Sequence, residues 1–172
     1  MLKWAGAFLI VARSAGWGAL ERLRLYLSVR QLKEAENLIV CLGSEISYGK
    51  SSLGEACREA AKRVQEPYAS FLQTVYGKSL ENNGQSFENL WKQQLIHITG
   101  QLLLNEEARK LVEKFGACSG CMDPGLQKVS VERIRKELHR VVVKAEEECD
   151  NRAKISLCLS AAGGIVLAMI LL

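Results

Sequence analysis

Apolar residues recur every three or four positions through the middle of the chain, which is the spacing of an amphipathic helix. The first such stretch extends from residue 23 to about residue 46, with charged residues on the opposite side of the helix. Its apolar positions are Leu32, Ala35, Leu38, Ile39, Leu42 and Ile46. We predict a long amphipathic helix here, ended by Gly49.

Five more helices are predicted from residues that commonly begin helices. Ser52 with Glu55 three positions later forms a capping box. The remaining helices are predicted to begin at Pro67, Ser86, Asn105 and Asp123, with Pro124 directly after the last of these. The fifth helix is predicted to stop at Gly116, whereas the sixth meets no breaker before the apolar C-terminal segment and continues through Cys149 into it.

The sixth helix is predicted to bury one stripe of its surface. The stripe comprises Leu126, Ile134, Leu138, Val141, Val142 and Ala145. No stretch alternates apolar and polar residues with the turns that a sheet requires. The predicted fold class is therefore all-α: a cytosolic bundle of about six helices, flanked by one N-terminal and one C-terminal transmembrane helix.

The C-terminal transmembrane helix is predicted from residues 155–172, which are 18 residues without a charge. At about 1.5 Å per residue such a helix just reaches across the roughly 30 Å of a bilayer core. Ser160, Gly164 and Ala168 recur every four positions and form a small-residue face on which another membrane helix packs closely. The alternative is that small residues are simply tolerated in lipid.

The N-terminal transmembrane helix is predicted from residues 2–20, although Arg13 lies near its middle and is costly in lipid. A cleaved secretory signal is the alternative, with small residues near Ala15 as the cleavage site. The basic residues that follow oppose translocation of that side and favour a retained anchor. They are Arg22, Arg24, Arg30 and Lys33.

Basic residues also predict the topology of the chain. One lysine precedes the first apolar segment and several cations follow it, whereas Lys144, Arg152 and Lys154 precede the last segment. Both flanks place the intervening region in the cytosol by the positive-inside rule. The predicted organisation is an anchor over residues 1–21, a cytosolic helical bundle over 22–154 and a membrane helix over 155–172.

The charge pattern argues against nucleic-acid binding. The net charge of +4 comes from 23 basic and 19 acidic residues that are interspersed, so no one-sided basic stripe appears. The chain also lacks paired carboxylates in a pocket signature, a nucleophile with a base, and a phosphate-binding loop. We therefore expect no enzymatic activity and no cofactor.

A Cys-x-x-Cys motif at Cys118 and Cys121 raises the question of thiol or metal chemistry. A redox site of the thioredoxin kind lies beside a βαβ unit, which this chain lacks. A zinc site needs two more ligands, and the next candidates, His139 and Cys149, lie far along one helix. The simplest interpretation is that both cysteines are incidental residues of a loop, and no metal is expected.

Several stretches in order resemble the stage III sporulation protein AB family. Near the amino end these are Lys3, Gly6, Arg22 and Leu23. Residues 42–56, LGSEISYGKSSLGEA, are similar to the family's Leu-x-x-Glu-Ile-x-Tyr followed by Leu-x-Glu-Ala. The later matches are Phe115, Gly116, Gly120, Asp123 and Gln127, and the chain ends in Ile-Leu-Leu.

The resemblance implies a membrane component of the complex that links mother cell and forespore. The bundle is then similar to the cytoplasmic domain of the F-type platform protein of type II secretion and type IV pilus systems. It would face the mother-cell cytosol from the outer forespore membrane, with a secretion-type ATPase and other products of the same sporulation operon as partners. The small residues of the last helix and a platform role favour a homo-oligomer.

The resemblance also indicates candidate partner-binding residues: Glu45, Tyr48, Gly49, Asp123 and Gln127 match family positions. Glu45 and Gln127 are interpreted as partner contacts, whereas Asp123 and Gly49 are equally well explained as helix caps. Two alternative functions remain open at this point. One is a membrane-bound thiol oxidoreductase or metal sensor, and the other is a general type II secretion platform protein.

Overall fold

The computed structural model describes residues 2–48, 52–81, 84–119 and 124–171. For residues 2–19, 21, 48, 124, 153–154 and 156–171 it describes the backbone alone. Six α-helices occupy these described stretches, and no strand occurs in them. The predicted all-α class and the count of six helices are confirmed.

The helices follow one another with short connections. They are α1 (Leu2–Tyr48), α2 (Leu53–Ala61), α3 (Tyr68–Leu80), α4 (Phe87–Ile98), α5 (Glu106–Ser119) and α6 (Pro124–Leu171). A single 3-10 turn, Thr99–Gln101, extends α4. The first and last helices are 47 and 48 residues long, because each continues without interruption into an apolar end of the chain.

Three predicted helix starts are confirmed by the cap geometry. The hydroxyl of Ser52 accepts a hydrogen bond from the amide of Glu55 at 3.3 Å, and Ser86 does the same for Asn89 at 3.3 Å. The side chain of Asn105 accepts from the amide of Ala108 at 2.9 Å. Each cap satisfies one of the amide donors that a helix start leaves without an intrahelical partner.

Two other predicted boundaries were less accurate. Pro67 occupies the N-cap of α3 rather than its first turn. Gly116 does not stop α5, which continues to Ser119. The predicted terminator Gly49 and the predicted N-cap Asp123 lie outside the described residues. Helix α1 ends at Tyr48, directly before Gly49, and α6 begins at Pro124, directly after Asp123.

The chain divides into two compact units. One unit comprises residues 30–143 and contains the helical bundle, whereas the other comprises residues 1–29 and 144–172, the two outer helix ends. The predicted limits of 22–154 rest on the membrane interpretation, so they stay a prediction. Among the residues that the structure describes, no helix combines the length and the apolarity needed to cross a bilayer.

The core of the bundle is formed by the predicted apolar stripes and by four large aromatic side chains. The aromatic residues are Tyr68, Phe71, Trp91 and Phe115, all fully buried. From α1 and α6 the largest fully buried side chains are Leu32, Leu38, Ile39, Leu42, Ile134 and Leu138. Burial of this apolar surface is the main force that holds the helices together.

Two members of the predicted stripe on α6 are not buried, because Ala145 is half-buried and Leu126 is exposed. Leu126 is 64% exposed, although it was expected in the core. The inward side of α6 follows the positions Gln127, Val131, Ile134 and Leu138, which are three or four residues apart. Leu126 lies one residue before this series, about 100° around the helix, and therefore faces away from the core.

Candidate functional site

Helices α1 and α6 approach each other closely within the bundle at Gly43. A Cβ atom added to Gly43 would lie 2.9 Å from the Cγ1 atom of Val131 on α6, which is shorter than normal packing allows. Glycine at this position therefore permits the two helices to come together. Further along, His139 Nδ1 of α6 lies 2.9 Å from Glu36 Oε1 of α1 and joins the pair through a polar contact.

An open groove of about 900 Å³ lies along this helix pair. Its apolar lining is supplied by Ile39, Val40 and Gly43 of α1 and by Val129 and Val131 of α6. Ile39 and Val131 are buried in the core below, whereas Val40 is 43% and Val129 is 69% exposed. The groove thus has an apolar floor with valine side chains that face solvent, which is a common property of interaction sites.

The sides of the groove are rich in charge, and most of it is positive. The charged lining residues are Lys128, Glu132, Arg133, Arg135, Lys136, Glu137 and Arg140, which are five cations and two anions. Arg135 Nη2 lies 2.6 Å from Glu132 Oε1, and Arg133 Nε lies 3.0 Å from Glu137 Oε1. Both acids are therefore already engaged by neighbouring arginines, and the lining keeps an excess of positive charge.

The electrostatics of this lining keep its main ion pair charged. The hydrogen bond donated by Arg135 holds the pKa of Glu132 below its ordinary value. The same bond raises the pKa of Arg135. Both groups are thus ionised at neutral pH, although such exposed pairs contribute little to stability.

A second feature of the bundle is the packing of α4 against α5 through Trp91. The Trp91 indole donates a hydrogen bond to the carbonyl of Val112 at 2.9 Å and contacts Phe115 at a ring distance of 5.6 Å. Its ring lies against the backbone of Gly116, where an added Cβ would lie 2.9 Å from Trp91 Cβ and would collide with the indole ring. This contact explains why α5 carries a glycine in its interior.

The comparisons with known proteins agree with this architecture. The family model described as stage III sporulation protein AB matches residues 3–172. The chain belongs to the stage III sporulation protein AB family. A solved structure of stage III sporulation protein AB (SpoIIIAB) shares the fold, with a TM-score of 0.64 at 22% sequence identity over 70% of this chain and 94% of that one. The comparison with curated proteins found no match.

Membership of the stage III sporulation protein AB family confirms the resemblance inferred from the sequence motifs. The structure gives two of the motif residues a clear packing role, because Phe115 and Gly116 together form the surface on which Trp91 lies. The Phe-Gly pair is therefore part of the core. The Phe-Gly pair could be recognised in the sequence, because it belongs to the ordered family motif. Its packing partner Trp91 lies 24 residues before Phe115 and is not part of that motif, so the sequence did not reveal the contact.

Two of the predicted partner-binding residues make contacts within the bundle. Glu45 Oε1 lies 3.1 Å from Arg63 Nη2, which attaches α1 to the connection after α2. The side-chain amide of Gln127 donates to the carbonyl of Ser119, the last residue of α5, at 2.5 Å. Their role in partner binding stays a prediction. Each has a direct sequence neighbour that lines the groove, Ser44 for Glu45 and Lys128 for Gln127.

The other predicted site residues are less fully described. Tyr48 is the last residue of α1, and its side chain is outside the described part of the structure. Gly49 and Asp123 lie outside the described residues altogether. The small-residue face at Ser160, Gly164 and Ala168 falls on the helical backbone of α6, and its side chains are likewise not described.

The cysteines occupy different environments. Cys118 is a half-buried free thiol near the end of α5, whereas its motif partner Cys121 lies outside the described residues. Cys57 is buried in α2, and this burial raises the pKa of its thiol to about 12. Such a thiol is protonated at neutral pH and is a poor nucleophile or metal ligand. Within the residues described, no group of three or more His, Cys, Asp or Glu side chains converges on a metal site.

The groove is the feature that sequence reasoning missed. Its signal was present in α6, where charged residues recur every four positions and therefore occupy one side of the helix. These positions are Lys128, Glu132, Lys136 and Arg140. The apolar floor could not be recognised in the same way, because it combines residues of α1 and α6 that are about 90 positions apart in the sequence.

Proposed function

We propose that this member of the stage III sporulation protein AB family is a non-enzymatic membrane platform in the complex that joins mother cell and forespore. The observation that carries the proposal is the family match over residues 3–172, nearly the whole chain. The motifs that resemble the family include Phe115 and Gly116, which pack against Trp91 in the core of the bundle. We infer that the chain assembles other proteins and performs no catalysis of its own.

We propose further that residues 2–20 and 155–172 anchor the chain in the outer forespore membrane. Residues 155–172 carry no charge, and the basic residues that flank both segments lie on the side of the bundle. Leu20 and Ile155, at the inner limits of the two segments, are each 62% exposed. Contact with lipid would remove these side chains from water. The bundle then faces the mother-cell cytosol.

We expect the partners to be other products of the same sporulation operon, including a secretion-type ATPase. The groove on the bundle supports this expectation, because it offers an apolar floor and an excess of positive charge. Self-association is supported by the small residues Ser160, Gly164 and Ala168, whose spacing allows close packing between membrane helices.

The location is tested by thiol labelling in sporulating cells of the native host. A variant that keeps only Cys118 and Cys121 is exposed to a membrane-impermeant maleimide before and after permeabilisation of the mother cell. We expect labelling only after permeabilisation, because the bundle faces the cytosol. Labelling of intact cells would show an exported domain and would contradict the proposed topology.

The role is tested by deletion and complementation. We expect deletion of the gene to stop sporulation at engulfment, and a plasmid copy to restore it. A control copy that carries Cys118→Ser and Cys121→Ser should restore sporulation equally well. Normal sporulation of the deletion strain would overturn the proposed function.

A further inference from the structure

The groove between α1 and α6 is suited to one kind of occupant, and this inference rests on the proposed platform function. We propose that it binds an acidic amphipathic helix of a partner protein. The shape, the apolar floor and the charge of the groove each favour this occupant.

The shape favours a helix of about three turns. The lining residues of α6 run from Lys128 to Arg140 and include residues from each of its turns. At about 1.5 Å per residue this stretch is about 18 Å long. A groove between two neighbouring helices is a standard seat for a third helix, whose side chains enter the space between the first two.

The apolar floor requires an occupant with an apolar side. Val40 and Val129 present their side chains to solvent from the two helices that line the groove, and the Gly43 backbone, packed against Val131, belongs to the same lining. Apolar residues at positions i, i+3 or i+4, and i+7 of a partner helix would cover both valines. A nucleic acid backbone offers no such apolar side.

The charge of the groove selects an acidic partner. Glu132 is engaged by Arg135 and lies 3.9 Å from Lys136 Nζ, and Glu137 is engaged by Arg133, so the two acids of the lining are already shared among three of its five cations. In the described part of the chain, Lys128 and Arg140 have no carboxylate within 4.0 Å. They lie near the two ends of the groove and would attract acidic residues about three turns apart, which increases the rate and the selectivity of association.

The occupant is identified by photo-crosslinking in sporulating cells of the native host. Benzoylphenylalanine replaces Val129 or Val40 in the full-length chain, and the crosslinked peptides are sequenced by mass spectrometry. The control position is Ile96 of α4, which is 71% exposed and does not line the groove. We expect crosslinks at Val129 and Val40, absent at Ile96, that map to a net-acidic segment with helical apolar spacing in another protein.

The charge requirement is tested by a matched pair of double variants. Lys128→Glu with Arg140→Glu reverses the two free cations of the groove, whereas Arg109→Glu with Lys114→Glu makes the same charge change on the exposed side of α5. We expect the groove variant to lower crosslinking at Val129 about tenfold and the α5 variant to leave it unchanged. Val129→Ser replaces an exposed side chain and is structurally mild. We expect it to lower sporulation, as the groove double variant does.

Several outcomes would overturn the inference. Crosslinks to a second copy of this chain would assign the groove to self-association, and crosslinks to lipid would assign it to the membrane surface. Equal crosslinking of the two double variants would show that the positive charge of the groove plays no part in binding the partner. If deletion stops sporulation while all groove variants crosslink and sporulate like the wild type, the groove inference fails and the platform function stands. If the deletion strain sporulates normally, the function fails, and the crosslinks still decide what the groove binds.

Discussion

The bundle contains two regions in which apolar residues are used in opposite ways. Around Trp91 the aromatic rings are fully buried, the indole N–H is hydrogen-bonded, and a glycine backbone fills the remaining space. Along the α1–α6 groove, Val40 and Val129 are left in solvent between charged side chains. The first region is complete without a partner, whereas the second would bury its apolar surface only when another molecule covers it.

The largest expected effect is the loss of the aromatic core. Trp91→Ala removes the ring contacts with Phe71 and Phe115 and the hydrogen bond that the indole donates to the Val112 carbonyl. We expect a loss of about 3–5 kcal/mol in the free energy of unfolding, measured by urea denaturation of the purified full-length chain. Val129→Ala in the groove is the control and should change stability by less than about 0.5 kcal/mol. Similar losses in both variants would remove the distinction between the two regions.

The buried thiol of Cys57 makes stability depend on alkaline pH. Its pKa is raised from 9.0 to about 12 by burial, so the folded state holds the proton more tightly than the unfolded state. The stabilisation is therefore complete below pH 9.0 and is lost as the pH rises through about 12. Between these values we expect stability to fall by up to about 1.4 kcal/mol per pH unit more in the wild type than in Cys57→Ala. Parallel pH profiles of the two proteins would contradict this account.

The close approach of Gly43 to Val131 predicts that Gly43→Ala lowers stability when residue 131 is valine and raises it when residue 131 is alanine. In the wild type, Gly43→Ala gains helix propensity but forces a methyl group against Val131, and we expect a net loss of about 1 kcal/mol. In a Val131→Ala background the clash is absent, so the same change should stabilise the chain by up to about 1 kcal/mol. A double-mutant cycle from urea denaturation measures the coupling. Additive effects would show that α1 and α6 are not in close contact here.

The smallest expected effect concerns the Cys-x-x-Cys motif. Cys118→Ser with Cys121→Ser should leave sporulation and the urea midpoint unchanged, because a platform needs no thiol chemistry. The thiol-oxidoreductase or metal-sensor hypothesis requires the opposite, namely that sporulation is lost in a chain that still folds. Spore counts after heat treatment distinguish the two hypotheses directly.

Local patterns in the sequence were sufficient to predict the helices and their starts. The caps at Ser52, Ser86 and Asn105 act within three residues along the chain, and the apolar stripe of α1 repeats within one or two turns. Such signals depend on the backbone geometry of a single helix, so no tertiary contact is needed to interpret them. The family motifs were recognisable for a related reason, since their order and spacing are properties of the sequence.

Tertiary structure decided the remaining features because each depends on residues that are distant in the sequence. Glycine is common where helices end, but Gly116 lies inside α5, because the Trp91 ring of α4 occupies the space that a side chain at this position would need. Leu126 is apolar enough for the core, yet the packing of α6 turns Gln127 inward instead. The groove, finally, exists only because α1 and α6 meet at Gly43, and no local pattern in either helix contains that contact.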